Sequence, residues 1–394
     1  MKANPGGYIP PSDVIGRDAL IQRLWRILER QSLVLTAERR MGKTCVINKM
    51  MVGVPKGQLA IPNRDAPKDL EQVHTSVEFV ETVFQDVEDY LSVLRRTAEQ
   101  ARRFLTQLSG AEFKGFKFPN IVTPHWKILL TKTIEDLVEY QDRTVIFFWD
   151  EMPLMLYNIK QREGEGAAME VLDTLRSLRQ MHPGLRMVFT GSIGLHQVIS
   201  SLKRSGYAND PTNDMLTEDV PPLSPNDAQE LARRLLEGEG ISTSNLQATV
   251  RAIADVVDRI PHYIHHVVDQ LKNRGGMVDE AIVGEVVDTC LTDPLDRWHM
   301  RHYQERIDTY YTPEERPFAL GLLDILSITR RPLAFDDLFN LLKSRIVTED
   351  SEMVRHMITL LQRDHYIVQQ MNGTYHFRFS MIQRSWRLQR GLSS

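Results

Sequence analysis

Residues 33–44 read Leu-Val-Leu-Thr-Ala-Glu-Arg-Arg-Met-Gly-Lys-Thr. Leu33–Thr36 is an apolar run of strand length, and Cys45-Val46-Ile47-Asn48-Lys49-Met50 continues it as a helix. A strand that enters a helix through Gly42-Lys43-Thr44 gathers backbone N–H groups at a helix N-terminus, where an anion is favoured. In such a loop Lys43 reaches the β- and γ-phosphates of a nucleotide, and the Thr44 hydroxyl is a ligand for Mg²⁺. Ala37, Glu38, Arg39, Arg40, Met41 and Gly42, with Lys43, Thr44 and Cys45, form the expected phosphate cradle. The usual pattern opens on glycine where this one has Ala37; alanine serves if its φ stays negative.

A second apolar run, Thr144-Val145-Ile146-Phe147-Phe148-Trp149, ends in Asp150-Glu151. A continuous apolar run suits a strand covered on both faces, as in a parallel sheet. Asp150 is placed to hold Mg²⁺, directly or through water, and Glu151 to polarise a water that attacks the γ-phosphate. The plainer reading is two solvated acids at a strand end. A third apolar run, Arg186–Thr190, leads to Gly191-Ser192. Ser192 is either a sensor that hydrogen-bonds the γ-phosphate or lytic water, or a turn serine. In a parallel sheet Thr36, Asp150 and Thr190 face one crevice. Arg39 and Arg40 either touch phosphate or a neighbouring subunit, or are solvated.

The chain has 394 residues, enough for two or three domains. Its 42% hydrophobic and 25% charged content are those of a soluble globular protein, and a net charge of −4 gives no global attraction to nucleic acid. Two cysteines far apart, Cys45 and Cys290, are not a disulfide framework and suit a reducing, cytoplasmic setting. The N-terminal residues lack the apolar core of a signal peptide, and no apolar run is long enough to span a membrane. Thr75-Ser76-Val77-Glu78 has capping-box form and opens a long helix, continued through 95–108; 53–68 has no clear period, 110–124 is read as a loop, and 128–140 as a helix. After Pro221-Pro222 the pattern is helical to about residue 309. Three helices near 313–327, 334–343 and 350–363 then precede a hairpin around Asn372-Gly373, the order of a winged helix-turn-helix.

Residues 37–44 resemble the G-x-R-R-x-G-K-T loop of the archaeal-type ATPases of the STAND class, relatives of AAA+ proteins. Val14-Ile15-Gly16-Arg17-Asp18 resembles their adenine-side box, which assigns Ile15, Gly16 and Arg17 to nucleotide contact. Asp69-Leu70-Glu71 resembles their second-strand region, Asp150-Glu151-Met152-Pro153 their D-E-x-P segment, and residues 189–195 their sensor segment. The lid helix carries Arg259-Ile260-Pro261 where the class has G-x-P, so Pro261 and His262 are expected at the adenine. His262, His265 and His266 share a helical face, but the local sequence adds no metal-ligand set.

The expected architecture is an α/β P-loop NTPase, a parallel sheet flanked by helices, over residues 1–222. An α-helical lid and connector helix follow over 223–311, then a winged helix-turn-helix over 312–394. The resemblance implies an ATP- and Mg²⁺-dependent ATPase that acts as a switch, with output through an effector or sensor protein in trans or through homo-oligomers. Defence signalling is an expectation from resemblance. The competing readings are a DNA-associated AAA+-like ATPase and a nucleotide-binding scaffold without turnover. Helix 351–363 mixes acids and bases. The tail is more basic, with Arg378, Arg384, Arg387 and Arg390, and either contacts phosphates or packs Trp386. No Asn-Lys-x-Asp guanine signature follows Asp150, which favours ATP.

Overall fold

A computed structural model of the chain describes residues 1–62, 66–93, 110–113, 116–118, 125–139, 141–191, 194–204, 206–207, 210–329 and 331–392. These form two compact units: residues 10–36 with 43–220, and residues 1–9 and 37–42 with 221–394. Ser192, and the 95–108 extension of the long helix, lie outside the described residues.

The first unit is built on a parallel sheet. In chain order its described elements are α1 (Asp18–Leu28), β1 (Ser32–Thr36), α2 (Lys43–Val52), β2 (Gln58–Ile61), β3 (Lys68–Asp69), α3 (Ser76–Val93), β4 (Gly110–Phe113) and β5 (Phe116–Phe118). There follow α4 (His125–Glu139), β6 (Thr144–Asp150), α5 (Met152–Glu163), α6 (Glu165–Met181), β7 (Leu185–Thr190), α7 (Leu195–Arg204) and β8 (Met215–Asp219). The strand order is β2-β6-β7-β1-β8, with β3 also on β6, and every pairing within this sheet is parallel. β4 and β5 pair separately as an antiparallel hairpin.

The continuous apolar reading of β6 has its reason in the layers. Val145, Phe147 and Trp149 face one large core cluster, while Phe148 on the opposite face meets Trp25 of α1 edge-on at 6.1 Å. Trp149 is fully buried between Phe79 at 5.3 Å and Phe189 at 5.9 Å. The capping box closes as expected: the Thr75 amide donates to Glu78 Oε2 at 3.1 Å, and the Glu78 amide to Thr75 Oγ1 at 3.1 Å.

Three segments differ from the sequence reading. β2 and β3 lie within 53–68 and just beyond it, and β4–β5 lie within the segment read as a loop. β2 has only four residues and is held by pairing with β6, so no alternation announces it. β8 is an edge strand that leaves Leu216 and Thr217 exposed, which removes the apolar signal.

In the second unit α8 (Pro225–Glu239), α9 (Leu246–Val256), α10 (Pro261–Arg274), α11 (Glu280–Leu291) and α12 (His302–Tyr310) come first. Next are α13 (Glu315–Ile328), α14 (Phe335–Lys343), α15 (Ser351–Arg363), β9 (Ile367–Gln369), β10 (Tyr375–Phe377) and α16 (Ser380–Gln389). Ser224 caps α8 by accepting the Asp227 amide, and Thr312 and Glu315 form a second capping box at 2.9 and 3.3 Å. α13 packs against α14, α15 and α16 through a buried face that includes Leu322, Leu323 and Leu326. β9 and β10 pair antiparallel across the Asn372-Gly373 turn, where Gly373 takes φ 83°.

Gly191 follows β7 where a Cβ would stand 2.6 Å from Pro153 Cδ and 3.4 Å from Glu151 Cα. Gly191→Ala is expected to destabilise the first unit by about 1–3 kcal/mol, measured by urea unfolding, because neither ring nor backbone can yield cheaply.

Candidate functional site

In the first unit the carboxyl ends of the strands bring polar groups together. β7 lies between β1 and β6, with Leu35 opposite Thr190 and Trp149 opposite Phe189. Thr36, Thr190 and Asp150 therefore end adjacent strands. β3 adds Asp69 directly opposite Asp150.

Asp150 is 8% exposed and fully engaged: Oδ2 accepts from Thr44 Oγ1 at 2.8 Å and Oδ1 from the Glu151 amide at 3.0 Å. Burial pushes its carboxyl above the usual range; the Thr44 hydroxyl, the Glu151 amide and the Lys43 charge oppose that, and Asp69 adds to it. Lys43 begins α2 and is 9% exposed. Glu151 stands at φ 57°, an uncommon left-handed conformation that caps α5 and passes its carbonyl to the Met155 amide at 3.0 Å. A hydroxyl and a carboxylate in mutual contact, both hard oxygen donors beside an ammonium-bearing residue, are of the chemistry that would hold a Mg²⁺ ion.

Thr190 is 1% exposed, and among the described residues its Oγ1 has no hydrogen-bond partner. The sequence left Ser192 as either a sensor or a turn serine, and it lies outside the described residues; Thr190 ends the strand next to that of Asp150 with a hydroxyl to offer. Its signal in the sequence is a polar residue closing the run Met187-Val188-Phe189.

The segment Val14–Asp18 is fastened to α2. Lys49 Nζ donates to the Val14 carbonyl at 2.8 Å and pairs with Asp18 at 2.8 Å. Gly16 turns the chain at φ 70°, and Arg17 is 3% exposed, its charge opposing the upward push of burial on the Cys45 thiol. Ile15, Gly16, Arg17, Lys43, Thr44, Cys45, Asp150 and Glu151 thus belong to one unit.

Ala37–Gly42 belong to the second unit. Ala37 does not adopt a positive φ, so alanine is tolerated there; Arg40 and Gly42 do, at 73° and 84°. Ala37, Glu38 and Met41 are buried. Glu38 Oε1 accepts from the Arg39 amide at 2.7 Å and from Arg306 of α12 at 3.1 Å. The Arg40 guanidinium donates to His262 Nε2 and lies 5.8 Å from the Tyr263 ring. Pro261 starts α10, preceded by Arg259 at φ 60°. That left-handed turn is the physical reason for a glycine at this place in the G-x-P pattern. The resemblance gave no sign of the Glu38–Arg306 contact, which joins residues 268 positions apart.

His262, His265 and His266 do not form a metal site: among the described residues no group of three or more His, Cys, Asp or Glu could hold a metal ion. His262 accepts from Arg40 and His265 Nδ1 accepts from the Asn4 amide, roles that require unprotonated nitrogens. Three of the four tail arginines are engaged within the unit. Arg384 pairs with Asp288, Arg390 with Asp324 at 2.8 Å, and Arg378 meets His365. Trp386 is buried and donates to Asp324 at 2.9 Å.

No family model and no curated protein matches the chain. Among solved structures, a Walker-type ATPase of Pyrococcus abyssi aligns with a TM-score of 0.64 at 14% identity, covering 98% of this chain and 100% of its own. The fold is that of a P-loop NTPase. The ORC2 protein of Aeropyrum pernix, in its ADPNP-ADP complexes, aligns at TM-score 0.54 and 11% identity over 98% of this chain and 97% of that one. The helical C-terminal part of this P-loop NTPase is included in both alignments. No helix among the described residues is long and apolar enough to cross a membrane.

Burial, with the Arg40, His266, His265 and Arg39 charges, lowers His262 to about 2. Burial likewise brings His302 to about 3 and His265 and His266 to about 4. Below an unfolded-state value near 6.5, the unfolded chain binds protons that these sites refuse, so stability must fall as pH drops from about 6.5 towards 4. The thermal midpoint of the full chain is expected to decline over that window. His302→Gln should make the decline shallower; an unchanged slope would refute the assignment.

Proposed function

We propose that the chain is an ATP-binding and ATP-hydrolysing switch. The observation that carries this reading is the Thr44–Asp150 pair at 2.8 Å, with Lys43 on the same helix start and Glu151 next in sequence. The amides of residues 37–44 would wrap the phosphates, Lys43 would hold the β- and γ-phosphates, and Thr44 and Asp150 would hold Mg²⁺. When bound, the ion withdraws charge from the phosphoryl oxygens. Glu151 takes a proton from the attacking water, and Thr190, with Ser192, orients that water or the γ-phosphate. Ile15, Gly16 and Arg17 line the base side; His262 takes part through its contact with Arg40, and Pro261 through its place at the start of the same helix.

The C-terminal 312–394 segment is read as a winged helix that docks on protein. The pairing of Arg384 with Asp288, and of Arg390 and Trp386 with Asp324, supports docking over phosphate contact. Arg355 of α15 lies 3.7 Å over the Phe335 ring and pairs with Glu352 at 3.4 Å, which further depletes the free positive charge that DNA would need. Output passes through a partner protein or self-assembly. The archaeal-type STAND resemblance makes defence signalling the setting to test first.

Lys43→Ala is expected to lose MgATP binding in calorimetry. Glu151→Gln should keep binding while its phosphate release falls by about 10²-fold or more. Equal, negligible turnover in wild type and Glu151→Gln would leave a nucleotide-binding scaffold. Binding of duplex DNA at low salt with a steep salt slope would restore the DNA-associated reading.

A further inference from the structure

A buried carboxylate in a loop that wraps a polyanion is an electrostatic conflict, and the second unit contains its resolution. Glu38 has a fully buried side chain. Arg306 of α12 is 14% exposed; it reaches Glu38 Oε1 at 3.1 Å with one guanidinium nitrogen, and the Asp364 carboxylate at 3.5 Å and carbonyl at 3.4 Å with another. Asp364 closes α15, and its Oδ2 accepts from Tyr311 at 2.6 Å. The guanidinium lies 5.3 Å from the Tyr366 ring, and the Tyr366 hydroxyl donates to the Tyr303 carbonyl on α12 at 2.6 Å. One arginine is thus shared between loop 37–42 and the end of α15. A carboxylate from the α9–α10 corner reinforces this docking. Asp258 accepts from Ser380 Oγ and from the Met381 amide at the start of α16, both at 2.7 Å.

We propose that Glu38 and Arg306 are a positioning pair that couples nucleotide binding at the phosphate loop to docking of the C-terminal helices. The proposal rests on the ATP-binding reading and adds its regulation. With Arg306 in place, the Glu38 charge is neutralised and the loop accepts phosphate. When α12 and α15 move away, the carboxylate loses the Arg306 guanidinium while facing an incoming triphosphate, and affinity falls. Linkage makes the effect reciprocal: bound nucleotide draws Arg306, and with it Asp364, onto the loop. A partner that captures the C-terminal helices would therefore expel nucleotide, and a nucleotide would oppose that partner.

The test is a charge-rescue cycle in the full chain, with MgADP titrated by calorimetry. Arg306→Met is expected to weaken MgADP by about tenfold or more. Adding Glu38→Gln to Arg306→Met should recover most of that loss, because the offending charge is gone; Glu38→Gln alone should bind MgADP at least as tightly as wild type, whereas a merely structural pair would weaken binding when either partner is removed. Arg306→Met binding as tightly as wild type, or a double variant no better than Arg306→Met, overturns the proposal. Hydrogen exchange guards against a misfolded variant: in wild type, MgADP should slow the amides of 302–311 and 364–367, and no slowing overturns the coupling. Without nucleotide, the amides of 38–42 should exchange faster in Arg306→Met than in wild type. Equal exchange overturns the link even if the chain binds no nucleotide, whereas a wild type that binds no MgADP, yet shows the faster exchange, removes only the ATP-binding reading.

Discussion

Asp150 is a carboxyl group held where water is nearly excluded, and three groups of the first unit are turned toward it. Burial opposes the charge; the Thr44 hydroxyl, the Glu151 amide and the Lys43 ammonium favour it. Each comes from a different constraint. Thr44 is delivered by the helix that follows β1. The Glu151 amide is aimed by a left-handed residue at the start of α5. The position of Asp150 itself is fixed by β6, whose alternate side chains fill both faces of the sheet. Moving β6 by one residue would exchange Trp149 for Asp150 in the core, so the register of the site is enforced by hydrophobic packing.

The second unit solves a related problem at larger scale. Its short helices bury Glu38, Asp324 and Asp364, and each carboxylate is met by a designated partner: Arg306, Arg390 with Trp386, and Arg306 with Tyr311. Buried ion pairs add little net stability over apolar packing, but breaking one leaves an isolated charge at high cost. Such contacts therefore specify which surfaces dock. The four histidines held neutral by burial make the same unit sensitive to acid, with stability lost on the low side of the unfolded histidine range.

The basic tail shows how charge in a sequence changes meaning in a structure. Arg378, Arg384, Arg387 and Arg390 with no intervening acid leave two readings open in the sequence, phosphate contact or packing of Trp386. Folded, Asp288 on α11 and Asp324 on α13 come from far along the chain to pair two of them, and Trp386 turns inward. Linear charge density records which residues are cations but not which acids they will meet.

The sequence by itself determined the parts whose signals are local. The strand-to-helix junction at Gly42-Lys43-Thr44, the apolar run ending in Asp150-Glu151, the capping boxes at Thr75 and Thr312 and the Asn372-Gly373 turn all depend on neighbours within a few positions. Tertiary structure alone decided β2 and β8, one too short and one too exposed to announce itself, and the hairpin of β4 and β5. It also decided that His262 meets Arg40 and that Glu38 is answered by Arg306 from 268 residues away. Those facts depend on strand order and helix docking, which are settled by the packing of whole elements, and no short-range pattern carries that information.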